Sequence, residues 1–240
     1  MRRMPVSGHI GSVIGESLLG LFYPRLCPAC GDVLYGNETI LCVQCICDLP
    51  RTGFQSDPFN EMARLFWGRV RVSHAAAFFY YQKESRFQDL IHAIKYRNQP
   101  RLGVVMGRWY GEELKGSPFA QAGLIHPVPL HAAKLKARGF NQSEQIARGL
   151  SEALDIPLAT TLIERAVATG TQTRKTKYER WTNVEGIFRV KDPEALKNRH
   201  VILVDDVVTT GSTLEACALP VLAAEGTTVS VLTLGFVRHH

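Results

Sequence analysis

The sequence predicts an α/β domain, a parallel sheet flanked by helices, with a small cysteine-rich domain before it. The apolar run 201–204 is short and partly β-branched, and a polar loop and a helical run at 214–224 follow it directly. This order is typical of a strand buried on both faces of a parallel sheet. A second apolar strand at 124–130 also leads into a helical pattern, and five of the six cysteines lie within residues 24–50.

The strand at 201–204 is followed by two carboxylates, Asp205 and Asp206, where open α/β sheets place their ligands. The next residues lead into a helix, whose N-terminal N–H groups and dipole suit a phosphate. Carboxylates instead accept hydrogen bonds from sugar hydroxyls or help to hold a divalent cation. We therefore expect a ligand with a ribose and a 5′-phosphate, although a solvated acidic turn is the alternative. The predicted 5′-phosphate residues are Thr209, Thr210, Gly211, Ser212 and Thr213.

Basic side chains follow the strand at 124–130, in a predicted loop that contains Gly139. Asn141 is a predicted N-cap of the next helix, which ends near Asp155. A basic loop beside a ribose 5-phosphate site can bind a pyrophosphate, so the two loops together describe phosphoribosyl pyrophosphate (PRPP). The alternative is a solvated charged turn. The predicted pyrophosphate residues are His131, Lys134 and Arg138.

Residues 164–191 are polar and basic, with few positions that predict a core. Long polar loops in compact domains are usually functional or disordered. We expect a lid that closes over the diphosphate, with Arg174 and Lys175 as catalytic residues beside Asp205 and Asp206.

Composition is that of a globular protein: 240 residues, 45% hydrophobic and 21% charged. The net charge of +6 suits an anionic ligand, either phosphates or nucleic acid. Residues 1–23 form a predicted amphipathic segment, because polar residues interrupt the apolar run at 13–23. We expect neither export nor a membrane span, hence a cytoplasmic protein, with a weak signal-like start as the alternative.

Two Cys-x-x-Cys motifs lie eleven residues apart and predict a tetrahedral structural zinc site. The predicted ligands are Cys27, Cys30, Cys42 and Cys45. Disulfides are the alternative, and Cys47 is a candidate substitute ligand. A β-hairpin is expected over 32–41, with its turn at Gly36 and Asn37. The predicted divisions are therefore an N-terminal segment 1–23, a zinc ribbon 24–50, a linker 51–69 and the main domain 70–240.

The order of these motifs resembles the ComF-type competence protein family over about residues 18–238. The resemblance rests on the two Cys-x-x-Cys motifs, on residues 201–213, which resemble the PRPP motif of type I phosphoribosyltransferases, and on several further short stretches. These are Lys95-Tyr96, Pro127 to His131, Arg138 to Gln142, Gln172 to Arg174 and Arg180 to Asn183. It implies a type I phosphoribosyltransferase fold with an N-terminal zinc ribbon. It also implies a cytoplasmic role in natural competence and DNA uptake, with single-stranded DNA and a helicase as partners.

Two functions of different class follow. The first is an enzyme that transfers phosphoribosyl to an unnamed acceptor, with Mg²⁺ bridging diphosphate and ribose. The second is a binding module in which PRPP or a nucleotide is only a ligand. In that case the basic loops bind single-stranded DNA, and Phe140, Tyr178 or Trp181 stack on bases.

Overall fold

The computed structural model describes residues 24–96, 99–165 and 186–238. It divides the chain into two compact units, Met1–Leu49 and Pro50–His240. Within the described ranges, no helix has the length and apolar character that a bilayer crossing requires.

The elements of the larger unit follow a βα order with a parallel main sheet. Its strands are β1 (Ala75–Tyr81), β2 (Leu124–Pro127), β5 (His200–Val208) and β6 (Thr228–Val237), and a separate antiparallel pair is formed by β3 (Ile163–Arg165) and β4 (Phe188–Val190). The helices, numbered from the small unit onward, are α1 (Val43–Cys47), α2 (Glu61–Arg64), α3 (Arg86–Tyr96), α4 (Pro100–Leu114), α5 (Ala132–Arg138), α6 (Gln142–Leu154) and α7 (Ser212–Leu222). Short 3₁₀ turns span Phe54–Ser56, Pro118–Gln121 and Glu194–Leu196.

The main sheet has the order β1-β6-β5-β2, and each neighbouring pair is parallel. Residues 201–204 of β5 have no exposed surface, which confirms the prediction of a strand buried on both faces. The strand is longer than predicted, because β5 stays paired with β6 as far as Val208. β2 ends earlier, at Pro127 opposite Val204. The two acids therefore lie within β5, just where it loses its β2 neighbour.

Helices α4 and α6 pack so closely that their backbones touch. A Cβ added to Gly149 would lie 2.0 Å from the Val104 carbonyl oxygen, and one added to Gly107 would lie 2.2 Å from that of Ile146. Only glycine fits at such a crossing, so these two positions hold α6 firmly against α4. This packing fixes the position of α6, whose first turn lies at the carboxyl edge of the main sheet.

A buried histidine joins the small β3–β4 pair to the main sheet. His126 on β2 is fully buried; its Nδ1–H donates to the Pro127 carbonyl at 2.7 Å, and its Nε2 accepts from the Ile163 N–H at 3.1 Å. Both contacts require the neutral ring with its proton on Nδ1. Burial lowers the pKa of His126 to about 4, despite the opposing hydrogen bond to Pro127.

Residues 51–69, predicted as a linker, contribute to the core of the larger unit. Phe54, Asn60, Met62 and Phe66 are buried. The Asn60 amide donates to the Ala75 carbonyl at 2.8 Å, and its oxygen caps α2 by accepting from the Ala63 N–H at 2.9 Å. These contacts make the segment a packed part of the larger unit rather than a linker.

The described part of the small unit, residues 24–49, is built around turns rather than strands. In this part a single antiparallel bridge pairs Leu26 with Val33, and the predicted hairpin over 32–41 is wrong. The Glu38 carboxylate instead accepts from the backbone N–H groups of Tyr35 (2.8 Å) and Val43 (2.7 Å). The Glu38 side chain thus stabilises the segment between the two Cys-x-x-Cys motifs in place of the backbone hydrogen bonds of a β-hairpin.

Candidate functional site

The carboxyl edge of the main sheet brings α6 against the end of β5. The Val128 N–H donates to the Val204 carbonyl at 2.8 Å, which extends the β2 side by one residue. Asn141 then donates from its amide to the Val128 carbonyl at 3.0 Å, and its side-chain oxygen accepts from the Ser143 N–H at 3.1 Å. The predicted N-cap is thus confirmed, and it also anchors the first turn of α6 beside Asp205.

The first turn of α6 holds the two acids directly. Ser143 Oγ donates to Asp205 Oδ1 at 2.9 Å, and Gln142 Nε2 donates to Asp206 Oδ2 at 2.9 Å. The Lys95 ammonium at the end of α3 lies 3.0 Å from the same Asp206 oxygen, with side-chain exposures of 20% and 10%. The acid pair is therefore a largely buried, hydrogen-bonded group with Lys95 as a compensating cation.

The two acids differ in how they are compensated. Burial raises the pKa of Asp205 to about 7, and the neighbouring Asp206 charge adds to this. Hydrogen bonds from the Asp206 backbone N–H and from Ser143, together with the Lys95 charge, oppose the rise. Gln142 Oε1 is buried and, among the described atoms, has no hydrogen-bond partner. The site thus has acceptor capacity that its own residues leave unused.

The loop after β5 has the form that the sequence predicted. Gly211 is the N-cap of α7 with φ of 76°, and a Cβ there would lie 3.1 Å from the Phe66 ring. The four hydroxyl residues of the loop are exposed, and Thr210 Oγ1 lies 3.0 Å from Ser212 Oγ. A hollow of about 40 Å³ is lined by Asp205 and residues 207–214. Helix N–H groups and hydroxyls around a small hollow are suited to one phosphate group.

Arg69 contacts this loop through its guanidinium group, a role that the sequence did not predict. Its Nη1 donates to the Thr210 carbonyl at 2.8 Å and to the Leu65 carbonyl at 3.0 Å. Its Nη2 contacts Ser212 Oγ at 3.3 Å and pairs with Glu215. A single arginine in a predicted linker carries no signal of such a contact.

The predicted pyrophosphate residues lie on a short helix instead of a loop. His131 caps α5, because its Nδ1 accepts from the Ala133 N–H at 3.2 Å, and Gly139 ends the helix with φ of 78°. No residue of α5 is buried, which leaves Lys134 solvent-exposed and Arg138 half-exposed. α5 follows the carboxyl end of β2, and parallel strands place that end at the same sheet edge as the loop after β5. Arg174 and Lys175, with Tyr178 and Trp181, lie outside the described residues.

The small unit brings its four predicted ligands together. The sulfurs of Cys27, Cys30, Cys42 and Cys45 all lie within 4.8 Å of one another. Cys47 is exposed and is not part of this cluster. Four thiolates at such separations fit a tetrahedral metal ion such as zinc.

The thiols of the cluster differ in their proton affinity. Burial raises the pKa of Cys27, but hydrogen bonds from the backbone of Cys42, Cys30 and Ala29 outweigh it and lower the pKa to about 7. The pKa of Cys45 is raised, first by burial and then by the neighbouring thiols. A thiol that ionises near neutral pH is a ready first ligand for a metal.

Comparison with known proteins agrees with this geometry. Residues 138–234 match the phosphoribosyl transferase domain family. The DNA utilization protein YhgH of Escherichia coli O6:H1 is 32% identical over 237 residues, which cover 97% of this chain and 93% of that protein. The chain belongs to the ComF-type competence protein family. Its larger unit has the type I phosphoribosyltransferase fold, with the cysteine cluster on the N-terminal side.

Other ComF-type relatives align over shorter stretches. Competence protein F of Haemophilus influenzae is 38% identical over 91 residues, which cover 38% of this chain and 40% of that protein. YhgH of Salmonella typhi is 31% identical over 60% of this chain, and the alignment spans 65% of that relative's length. Among solved structures, a glutamine PRPP amidotransferase from B. subtilis is similar over 60% of this chain and 30% of its own, at 18% identity and a TM-score of 0.42.

Proposed function

We propose that the larger unit of this ComF-type protein binds PRPP at the carboxyl edge of its sheet. Residues 209–213 hold the 5′-phosphate, Asp205 and Asp206 accept hydrogen bonds from the ribose hydroxyls, and α5 faces the diphosphate with His131, Lys134 and Arg138. The observation that carries the proposal is the hydroxyl-rich loop at the α7 N-terminus, directly after the half-buried Asp205 and the buried Asp206 on the same strand.

The charges of the site match this orientation of the ligand. A phosphate is stabilised by the N-terminal dipole and N–H groups of α7, whereas two adjacent carboxylates would repel it. The carboxylates therefore suit the neutral, hydrogen-bond-donating ribose. Buried Gln142 Oε1 is a further acceptor beside Asp206 that a ribose hydroxyl can satisfy.

Magnesium enters this proposal as part of the ligand, since Mg²⁺ prefers oxygen ligands and commonly binds through phosphates. It neutralises the diphosphate when bound. The residues of the chain act around it: the acid pair orients the ribose, and the loop fixes the opposite end of the ligand. Because the protein holds both the ribose hydroxyls and the 5′-phosphate, C1 of the ribose lies at a defined position.

Phosphoribosyl transfer is the enzymatic form of the proposal. The bond from C1 to the diphosphate breaks, the diphosphate leaves with the electron pair, and a nucleophilic acceptor forms the new bond at C1 and gives up a proton. Arg174 and Lys175 are proposed to stabilise the departing charge. Turnover is tested by measuring pyrophosphate release from PRPP in the presence of each nucleobase of a panel. If no nucleobase causes release, the result favours a PRPP-binding protein without catalysis.

Calorimetric titration with PRPP and Mg²⁺ tests the binding site itself. The double variant Asp205→Asn and Asp206→Asn is expected to lose most of its affinity for PRPP, because an amide oxygen accepts weaker hydrogen bonds than a carboxylate oxygen does. Thr213→Val is expected to weaken binding at the loop. Thr228→Val, an exposed threonine at the amino end of β6, is the matched control and should bind as the wild type does. Unchanged binding in the double variant would refute the site assignment.

Binding of single-stranded DNA is a second candidate function. It is favoured by the names of the relatives, a DNA utilization protein and a competence protein, and by the net charge of +6. In this proposal the protein acts in the cytoplasm during DNA uptake, beside a helicase partner. Affinity for an oligonucleotide should fall steeply with salt, and salt-independent affinity would exclude phosphate contacts.

We also propose that the four-cysteine cluster holds a structural Zn²⁺. Few side chains are buried among residues 24–49, the part of the small unit that the structure describes, so a metal would supply much of its folding free energy. All four positions of the ion are then filled by protein, which leaves no position for a substrate.

A further inference from the structure

Two large aromatic side chains of the larger unit stand in solvent beside each other. Phe59 is 65% exposed and Trp67 is 58% exposed, and their ring centroids lie 6.4 Å apart at an angle of 76°. Large aromatic side chains exposed together mark interaction surfaces more often than isolated exposed apolar residues do. The pair therefore needs an explanation beyond the fold.

The exposed rings are held in place by buried neighbours. Phe59 precedes Asn60, which is 4% exposed, and Trp67 follows Phe66, which is 1% exposed. The Trp67 N–H donates to the Arg64 carbonyl at 3.3 Å, and the Arg64 side chain donates from Nε to the Phe59 carbonyl at 3.0 Å. The two rings are thus displayed on a fixed turn, which lowers the entropic cost of binding a partner.

Two arginines lie near this pair. Arg64 contacts the Phe59 backbone, and exposed Arg71 lines the same open depression of about 450 Å³ as Trp67, formed by residues 66–72. The nearby carboxylates are engaged: Glu61 pairs with Arg238, and Asp57 accepts from the Phe59 N–H at 2.8 Å. Two exposed aromatic rings with arginines nearby suit a chain of bases joined by phosphates.

We infer that Phe59 and Trp67, with Arg64 and Arg71, form a stacking platform for single-stranded nucleic acid. The inference rests on the second candidate function and gives that function a place on the molecule. Sequence reasoning pointed instead to Phe140, Tyr178 and Trp181. The platform adjoins the proposed phosphate loop, since Phe66 contacts Gly211 and Arg69 contacts Thr210.

Fluorescence anisotropy of a labelled oligo-dT of about 15 nucleotides, with the full chain, tests the platform. Trp67→Ala is expected to raise Kd by about 5-fold to 150-fold, the range that loss of one stacked base gives. Trp67→Phe keeps a ring and should restore most of the affinity, which a merely structural effect of the alanine variant would not predict. Tyr35→Ala removes an aromatic side chain of similar exposure, 73%, in the small unit and should leave Kd unchanged.

The charge contribution has its own control. Arg71→Gln should reduce the slope of log K against log salt by about 0.7, the value for one phosphate contact on a single strand. Arg199→Gln changes an exposed arginine at the amino end of β5 and should leave the slope unchanged. Oligo-rU should bind through the same residues, because stacking and phosphate contacts do not read the sugar. A duplex should bind without any dependence on Trp67, since its bases are already stacked.

The outcomes separate the platform from the function it rests on. If the wild type binds oligo-dT but Trp67→Ala and Phe59→Ala bind equally well, the platform is refuted and the DNA site lies elsewhere. An equal loss in Tyr35→Ala would also refute it. If the wild type binds no oligonucleotide, the second candidate function itself fails, and the PRPP proposal is unaffected.

Discussion

Replacing Lys95 by methionine should destabilise the protein in a way that depends on pH. Lys95 lies 3.0 Å from Asp206, and the two side chains are 20% and 10% exposed. Removing one partner of a buried ion pair costs about 3–5 kcal/mol. The remaining exposure and the hydrogen bond from Gln142 reduce this here, so we expect a loss of about 2–3 kcal/mol near pH 8.

The pH dependence follows from the neighbouring acid. The pKa of Asp205 is raised to about 7 by burial and by Asp206, and the Lys95 charge is among the groups that hold it down. Without Lys95 the pKa of Asp205 rises further above that of the unfolded chain. A raised folded-state pKa stabilises at low pH and loses that contribution as pH rises through it, so the deficit should shrink to about 1 kcal/mol near pH 5.

Urea unfolding followed by circular dichroism measures this, with Asp206→Asn completing a double-mutant cycle. We expect a coupling free energy of about 2 kcal/mol between Lys95 and Asp206 near pH 8. Arg108→Met is the matched control, since its pair with Glu152 is 51% and 44% exposed and should contribute less than about 1 kcal/mol at either pH. The same loss for Lys95→Met at low and high pH would contradict the electrostatic explanation, as would no coupling.

Three further predictions concern protons and metal. Because burial holds the pKa of His126 at about 4, stability should fall by up to about 3 kcal/mol as pH drops from about 6.5 to 4, measured by urea midpoints, and His126→Asn should remove this dependence. PRPP affinity should rise about tenfold between about pH 6 and 8, because a pKa of about 7 leaves Asp205 mostly protonated at the lower pH. Calorimetry measures this affinity at both pH values, and the rise should be about tenfold smaller in the Asp205→Asn variant, which has no carboxyl group to titrate at this position. Metal analysis of the purified protein should find one zinc per chain that is retained in Cys47→Ser and lost in Cys42→Ser, and equal retention in both would exclude the proposed cluster.

Local features of the site could be predicted from the sequence because their signals are contiguous. The strand, acid pair, loop and helix from 200 to 222 follow one another without a break, so hydrophobicity and helix-start rules suffice. The cysteine ligands were likewise predicted by spacing alone, and the structure brings the four sulfurs together. Cys47 follows Cys45 by two positions rather than three, and its side chain is exposed and lies outside the cluster.

The partners of the site could not be predicted, because they arise from tertiary contacts. Gln142 meets Asp206 across 64 positions of sequence, and Arg69 meets Thr210 across 141. Nothing local distinguishes such residues from solvated polar ones. The same limit explains segment 51–69, where Asn60 is buried through contacts with Ala75 and Phe54 that composition does not reveal.

Two local predictions were wrong for identifiable reasons. The basic segment 131–138 has no buried residue, so it lacks the apolar periodicity of a helix although its alanines and lysines favour one. In the small unit, the Gly36-Asn37 turn suggested a hairpin. Glu38 instead binds the N–H groups of Tyr35 and Val43, which would otherwise have been available to a ladder.

A crystal structure with PRPP and Mg²⁺ tests the central claim most directly. We predict the 5′-phosphate in the hollow of residues 209–213, within hydrogen-bond distance of the α7 N–H groups, and the ribose hydroxyls on Asp205 and Asp206. Density for the ligand at another site, or a diphosphate in the loop with the ribose turned away from the acid pair, would contradict the account.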